Sequence, residues 1–128
     1  MKYDEFLDLS EKEKEIFRSM HLSLWNEPTL FGDNFILHKI KTDLRDYHPN
    51  VYFDLVYFDA FAPAVQPELW EETVFDILAQ AMKPGSILVT YCAKGEVRRR
   101  LQRTGFSVER LPGPPGKREI IRATRLNT

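Results

Sequence analysis

Cysteine is nearly absent from this chain of 128 residues, Cys92 being the only one. An intramolecular disulfide is therefore excluded. No cysteine/histidine set has the spacing of a zinc site either, so no metal is expected and a reducing compartment fits best. No apolar run approaches the roughly 18 residues of a membrane span, and the N-terminus lacks a basic-then-apolar leader. The expectation is a cytoplasmic protein with no membrane partner. Glycine is scarce as well. Gly32, Gly85, Gly95, Gly105, Gly113 and Gly116 include no Gly-x-Gly pair, which excludes the glycine-rich turn that admits a nucleotide cofactor to a Rossmann-like sheet. There is no internal repeat and no low-complexity tract.

What is present is ordinary for one globular domain: 43% hydrophobic, 29% charged and 12% aromatic residues. A chain of this length buries roughly two thirds of its unfolded surface and needs no covalent staple. The net charge of −1 averages two unlike parts. Residues 1–91 hold 8 Lys/Arg against 16 Asp/Glu, whereas residues 92–128 hold 10 basic side chains against three acids, Glu96, Glu109 and Glu119. A basic C-terminal quarter attracts a polyanion. It is equally what a solvated surface paired with the acidic part would show.

Along the chain, Ser10 is placed to cap a helix over residues 11–20, and the segments 27–29 and 31–34 read as irregular connection. Residues 35–41 form a short strand followed by Asp43. The nearly continuous apolar run of residues 51–58 predicts a buried parallel strand ending in Asp59. Pro67 opens a helix whose apolar positions run from Leu69 to Met82, stopped by Lys83-Pro84-Gly85. Residues 86–91 give another strand, residues 94–104 a second helix ended by Gly105, and residues 106–111 and 119–124 two strands joined by a proline-rich loop. This order predicts an α/β fold, parallel strands with helices finished by an antiparallel C-terminal strand pair. Ligands of such sheets bind outside the carboxyl ends of the strands. Asp43, Asp59 and Tyr91-Cys92 fall there.

The run Phe53-Asp54-Leu55-Val56-Tyr57-Phe58-Asp59-Ala60-Phe61-Ala62-Pro63, with Pro67-Glu68-Leu69-Trp70 behind it, resembles the fourth-strand motif of the tRNA 5-methylaminomethyl-2-thiouridine methyltransferases. The likeness continues through Lys83-Pro84-Gly85, Thr90-Tyr91-Cys92-Ala93-Lys94-Gly95, Val97-Arg98-Arg99 and Gly105-Phe106 to Gly116-Lys117-Arg118-Glu119. The resemblance implies a partial class I methyltransferase (Rossmann-like) sheet and S-adenosylmethionine as cofactor. It further implies methylation of the aminomethyl group of the wobble uridine in tRNA, by enzymes whose relatives are sometimes fused to a flavin-dependent oxidoreductase. Class I methyltransferases open with a strand, a glycine-rich turn and a second strand ending in a ribose-binding acid. Residues 1–34 offer no such turn, so the chain reads as an N-terminal helical and irregular segment (1–34) followed by the C-terminal part of a methyltransferase-like domain (35–128). The cofactor-binding N-terminal strands are missing on this reading. Two functions follow: an S-adenosylmethionine-dependent tRNA methyltransferase, or a truncated, non-catalytic remnant that binds tRNA or serves an assembly. The missing strands leave exposed N–H and C=O groups that are expected to be paired by direct contact of the flanking strands, by the N-terminal segment or by a second copy, making a homodimer.

The resemblance and the strand-end positions assign the site together. Asp59 is the catalytic candidate, either orienting and deprotonating the attacking amine or anchoring the backbone N–H groups of residues 60–63. Asp43 stands where the family contacts adenine, and also where a plain turn aspartate would. Asp59, Ala60 and Phe61 are assigned to the cofactor; Pro63, Tyr91 and Cys92, with Lys117 and Arg118 on the projecting loop, to the tRNA substrate. Cys92 has no placed histidine to activate it as a nucleophile. Arg98, Arg99, Arg100 and Arg103 are either phosphate contacts or a solvated helix face.

Overall fold

The computed structural model describes residues 10–116 and 119–127, so the expectations placed on Lys117 and Arg118 lie outside the described residues. The chain forms two compact units, residues 1–42 and residues 43–128. In the first, Ser10 caps α1 (Glu11–Leu22) by accepting a hydrogen bond from the Glu13 N–H at 3.1 Å, and Glu11 and Glu13 lie at the positive end of the helix dipole. Strands β1 (Pro28–Phe31) and β2 (Phe35–His38) pair antiparallel, with Phe31 opposite Phe35. This corrects the expected placement of residues 35–41 in the parallel sheet. The cause is local: Gly32, at φ 63°, lets the chain reverse over three residues, and a short loop closes at less entropic cost than a distant pairing. The expected boundary at residues 34 and 35 accordingly falls inside this hairpin, and the units divide after Thr42.

The second unit carries the sheet that positions the site. Its strands, β3 (Phe53–Tyr57), β4 (Met82–Thr90), β5 (Phe106–Leu111) and β6 (Ile120–Arg125), lie in the order β3-β4-β6-β5. β3 and β4 are parallel; β6 runs antiparallel to both β4 and β5. Among the described residues β3 pairs with β4 alone, which leaves it an edge strand with Leu55 and Tyr57 exposed. Helices α2 (Glu72–Gln80) and α3 (Gly95–Arg103) cover one face. Val74, Phe75 and Leu78 of α2 and Val97 and Leu101 of α3 pack with Leu88, Phe106, Ile121 and Ala123 in one buried cluster.

Two sequence expectations change in detail. Pro67 opens a short 3-10 turn, Pro67–Trp70, rather than α2, because Glu71 adopts an extended conformation (φ −79°, ψ 159°) and α2 begins after it. Lys83-Pro84-Gly85 does not stand between helix and strand but inside β4. The pairing jumps from Phe53↔Met82 to Leu55↔Ile87, and the bulge is made by Gly85 at φ 86°. No described helix is long and apolar enough to cross a membrane.

Candidate active site

The carboxyl ends of β3 and β4 build the site. Pairing continues one residue past β3, where the Phe58 N–H donates to the Val89 carbonyl at 2.9 Å. Phe58 is buried beneath the site, edge-on to Trp70 (centroids 4.9 Å apart) and to Phe75 (5.8 Å). Such T-shaped contacts fix ring orientation as well as filling volume. The indole of Trp70, 2% exposed, donates from Nε1 to the Phe61 carbonyl at 2.7 Å, and the Val65 and Gln66 N–H groups donate to the Ala62 carbonyl at 2.8 and 2.9 Å. The turn that follows Asp59 is thus tied from below by a buried aromatic and closed by its own backbone.

Asp59 stands at the start of that turn, exposed. No hydrogen bond or ion pair among the described residues engages its carboxylate, so the backbone-anchoring role that the sequence left open has no partner here. Two depressions meet at Asp59 and Ala60. The larger, about 480 Å³, is lined by Phe58, Trp70, Pro63, Tyr91, Cys92 and Lys94 among others. The smaller, about 340 Å³, is lined by Asp59, Ala60, Phe61, Gln66 and Leu69. Pro63, Tyr91 and Cys92 therefore gather on one side of Asp59 and Phe61 on the other. Tyr91 is exposed, while Cys92 is half-buried and donates its N–H to the Thr90 hydroxyl at 3.4 Å.

Asp43 is not brought to this place. It caps the short turn Leu44–Asp46, accepting from the Arg45 backbone N–H (2.9 Å) and from the Arg45 guanidinium at Oδ1 (3.0 Å) and Oδ2 (2.6 Å). The side-chain bonds to Arg45, with the backbone bond second, pull its carboxyl down to about 2. It lines neither depression. Trp70 and Lys94 belong to the site although the sequence reading assigned them no part. Their signal was position, since Trp70 closes the Pro-x-x-Trp segment and Lys94 lies just beyond the carboxyl end of β4.

The basic quarter resolves into paired and unpaired cations. Arg100 pairs with Glu96 and donates to the Trp70 carbonyl at 2.9 Å, and Arg103 pairs with Glu72. Arg122 meets Glu109 at 3.1 Å, Arg110 meets Glu119 at 3.7 Å, and Arg125 donates to the Ala79 carbonyl at 2.9 Å. Lys94, Arg98 and Arg99 take part in no such bond among the described residues. No group of three or more His, Cys, Asp or Glu able to hold a metal occurs among the described residues.

A parallel strand pair whose carboxyl ends flank a cleft, with helices on one face and an antiparallel closing pair, is the arrangement of an α/β sheet that binds its ligand outside the strand ends. Residues 26–126 match the model of a family described as S-adenosyl-L-methionine-dependent methyltransferase, and the chain belongs to that family. Among solved structures it is similar to MnmC2 from Aquifex aeolicus, with a TM-score of 0.72 and 25% identity. That match covers 91% of this chain but 37% of that one, so the chain spans less than two fifths of its relative. It is also similar in fold to the N-methyltransferase NodS from Bradyrhizobium japonicum WM9, with a TM-score of 0.51, 17% identity, 70% of this chain and 61% of the other.

The family implies S-adenosylmethionine, and the residues around the smaller depression suit one part of it. Asp59 presents an unengaged carboxylate, the complement of a sulfonium, beside the apolar surface of Ala60, Phe61 and Leu69, the complement of adenine. No glycine lines either depression.

Proposed function

We propose that this chain is the substrate-facing part of a methyltransferase acting on an amine of the wobble uridine in tRNA. The unengaged carboxylate of Asp59, on the ridge between two depressions, carries this reading. The resemblance to the tRNA 5-methylaminomethyl-2-thiouridine methyltransferases and the likeness to MnmC2 support the substrate. Asp59, Ala60 and Phe61 hold the cofactor, which supplies an electrophilic methyl group when bound. Pro63, Tyr91 and Cys92 enclose the target base in the larger depression. An aminomethyl group is protonated near neutral pH and has no lone pair to offer. The carboxylate of Asp59 accepts the amine's N–H, orients the nitrogen toward the smaller depression and takes up the proton that nitrogen must lose. The Trp70 bond to Phe61 holds the turn so that this carboxylate stays in place.

The test is methyl incorporation into tRNA at millimolar S-adenosylmethionine by the parent chain and by Asp59→Asn. Loss of about a hundredfold or more in kcat with an unchanged circular dichroism spectrum is expected, the range of a removed general base. Equal turnover by the two proteins would remove Asp59 from the chemistry. The open edge of β3 favours a second reading, a non-catalytic remnant that binds tRNA or works within an assembly; that reading requires the parent chain to transfer no methyl group at all.

A further inference from the structure

We infer that Lys94, Arg98 and Arg99 form a phosphodiester site beside the larger depression, so that the target nucleoside is taken only as part of a polynucleotide. The inference rests on the reading above and assigns its substrate contact. Three observations meet at one place. Lys94 lines the larger depression. Gly95 follows it, and both guanidinium groups fold back over that glycine: a Cβ there would stand 3.0 Å from Arg99 Nη1 and 3.5 Å from Arg98 Nη2. The nearest acid on the helix, Glu96, is taken by Arg100.

Lys94, at the N-cap of α3, gives no side-chain capping bond, and as a cation there it faces the positive end of the helix dipole, where it is disfavoured. Arg100 and Arg103, by contrast, lie in the last turn, where the dipole welcomes them, and both have acidic partners. Five of the eight described cations of residues 92–128 are thus satisfied within the fold; of the three that are not, Lys94 lines the larger depression and Arg98 and Arg99 gather at the adjoining Gly95. Arg98 Nε is also buried without a hydrogen-bond partner. A single anion bridging the two guanidinium groups relieves their repulsion and matches their forked donors. The larger depression then has a carboxylate, Asp59, on one wall and a cation, Lys94, on another. A nucleotide with a cationic aminomethyl base and an anionic backbone fits that polarity in one orientation.

The experiment titrates a fluorescent RNA anticodon stem-loop against the parent chain at two salt concentrations, alongside three variants. Arg98→Gln/Arg99→Gln removes the pair; Arg99→Gln alone changes an exposed side chain and leaves the helix packing intact; Arg110→Gln/Arg122→Gln removes the same charge from ion-paired positions. Each charge-assisted contact is expected to carry about tenfold in affinity, so the first variant loses about a hundredfold, the second about tenfold and the third less than about twofold. The slope of log affinity against log salt should shrink by about 0.7 per lost contact, as for single-stranded nucleic acid. Equal losses in the first and third variants, an unchanged slope, or no RNA binding by the parent overturns the proposal. So does a loss of S-adenosylmethionine affinity, read by calorimetry, in place of RNA affinity, because the cluster would then serve the cofactor. Cluster-dependent RNA binding without methyl transfer removes the enzymatic reading and keeps the phosphodiester site; Asp59-dependent transfer with cluster-independent RNA binding does the reverse.

Discussion

Asp43 and Asp59 show how much two similar residues can differ in setting. Both follow apolar runs that read as strands, and position alone makes both site candidates. Asp43 is drawn into a fork by Arg45, which holds its carboxyl at about 2 against an ordinary 3.8. A depressed folded-state value means that the pairing stabilises the protein above about pH 3.8 and that this contribution is lost as pH falls through about 2. Solvent exposure keeps it small. Carbon-13 NMR titration of the Asp43 carboxyl should give a midpoint near 2, and Arg45→Ala should return it toward the ordinary value; an unmoved midpoint would assign the depression elsewhere. Asp59 was legible because its strand is central to the motif and continuous in apolar residues. At Asp43 the strand reading differs, since residues 35–38 pair with Pro28–Phe31 in a hairpin rather than in the sheet that carries Asp59. Tyr91 and Cys92 were legible for the same reason as Asp59: they follow a strand, Met82–Thr90, whose apolar run fixes where it ends.

At the scale of the element, punctuation decides how well the sequence reads. α3 is bracketed by Lys94 and Gly105, and its observed span, Gly95–Arg103, departs little from the expected one. Gly105 holds φ 101°, its carbonyl accepts the Leu126 N–H at 2.9 Å, and β5 begins at the next residue. Alanine at 105 should cost about 1–2 kcal/mol, the penalty of a side chain in left-handed space. It should lower the urea midpoint at unchanged slope, with no loss if the turn relaxes freely. Pro67 reads less clearly, since a fixed φ suits the start of a 3-10 turn and of an α-helix alike. The hairpin of β1 and β2 turns through Gly32, Asp33 and Asn34, a glycine-containing connection of the kind hairpins use, but its strands are only four residues each and carry little alternation to mark them as a pair.

For the whole molecule, the sheet order β3-β4-β6-β5 accounts for what the chain keeps and what it lacks. The expected exposed edge is β3, with Tyr57 75% exposed on it. The cofactor's amino acid and ribose ends find no glycine turn beside either depression. Two absent charge-assisted contacts cost about a hundredfold or more in affinity at about 1.5–3 kcal/mol each. Calorimetry of the chain with S-adenosylmethionine should therefore show a dissociation constant weaker than micromolar, and a micromolar value would mean that residues elsewhere replace the turn.

The two compact units also divide the tryptophans between them. Trp25 belongs to residues 1–42, 58% exposed, with the Lys39 ammonium 5.2 Å from its ring centroid. Trp70 belongs to residues 43–128, 2% exposed and hydrogen-bonded inside its aromatic cluster. A wet indole emits at longer wavelength than a dry one, so each unit carries its own intrinsic chromophore, one red and one blue. The spectrum of the unmodified chain can follow the melting of the second unit through the blue band, while the red band reports separately on the first.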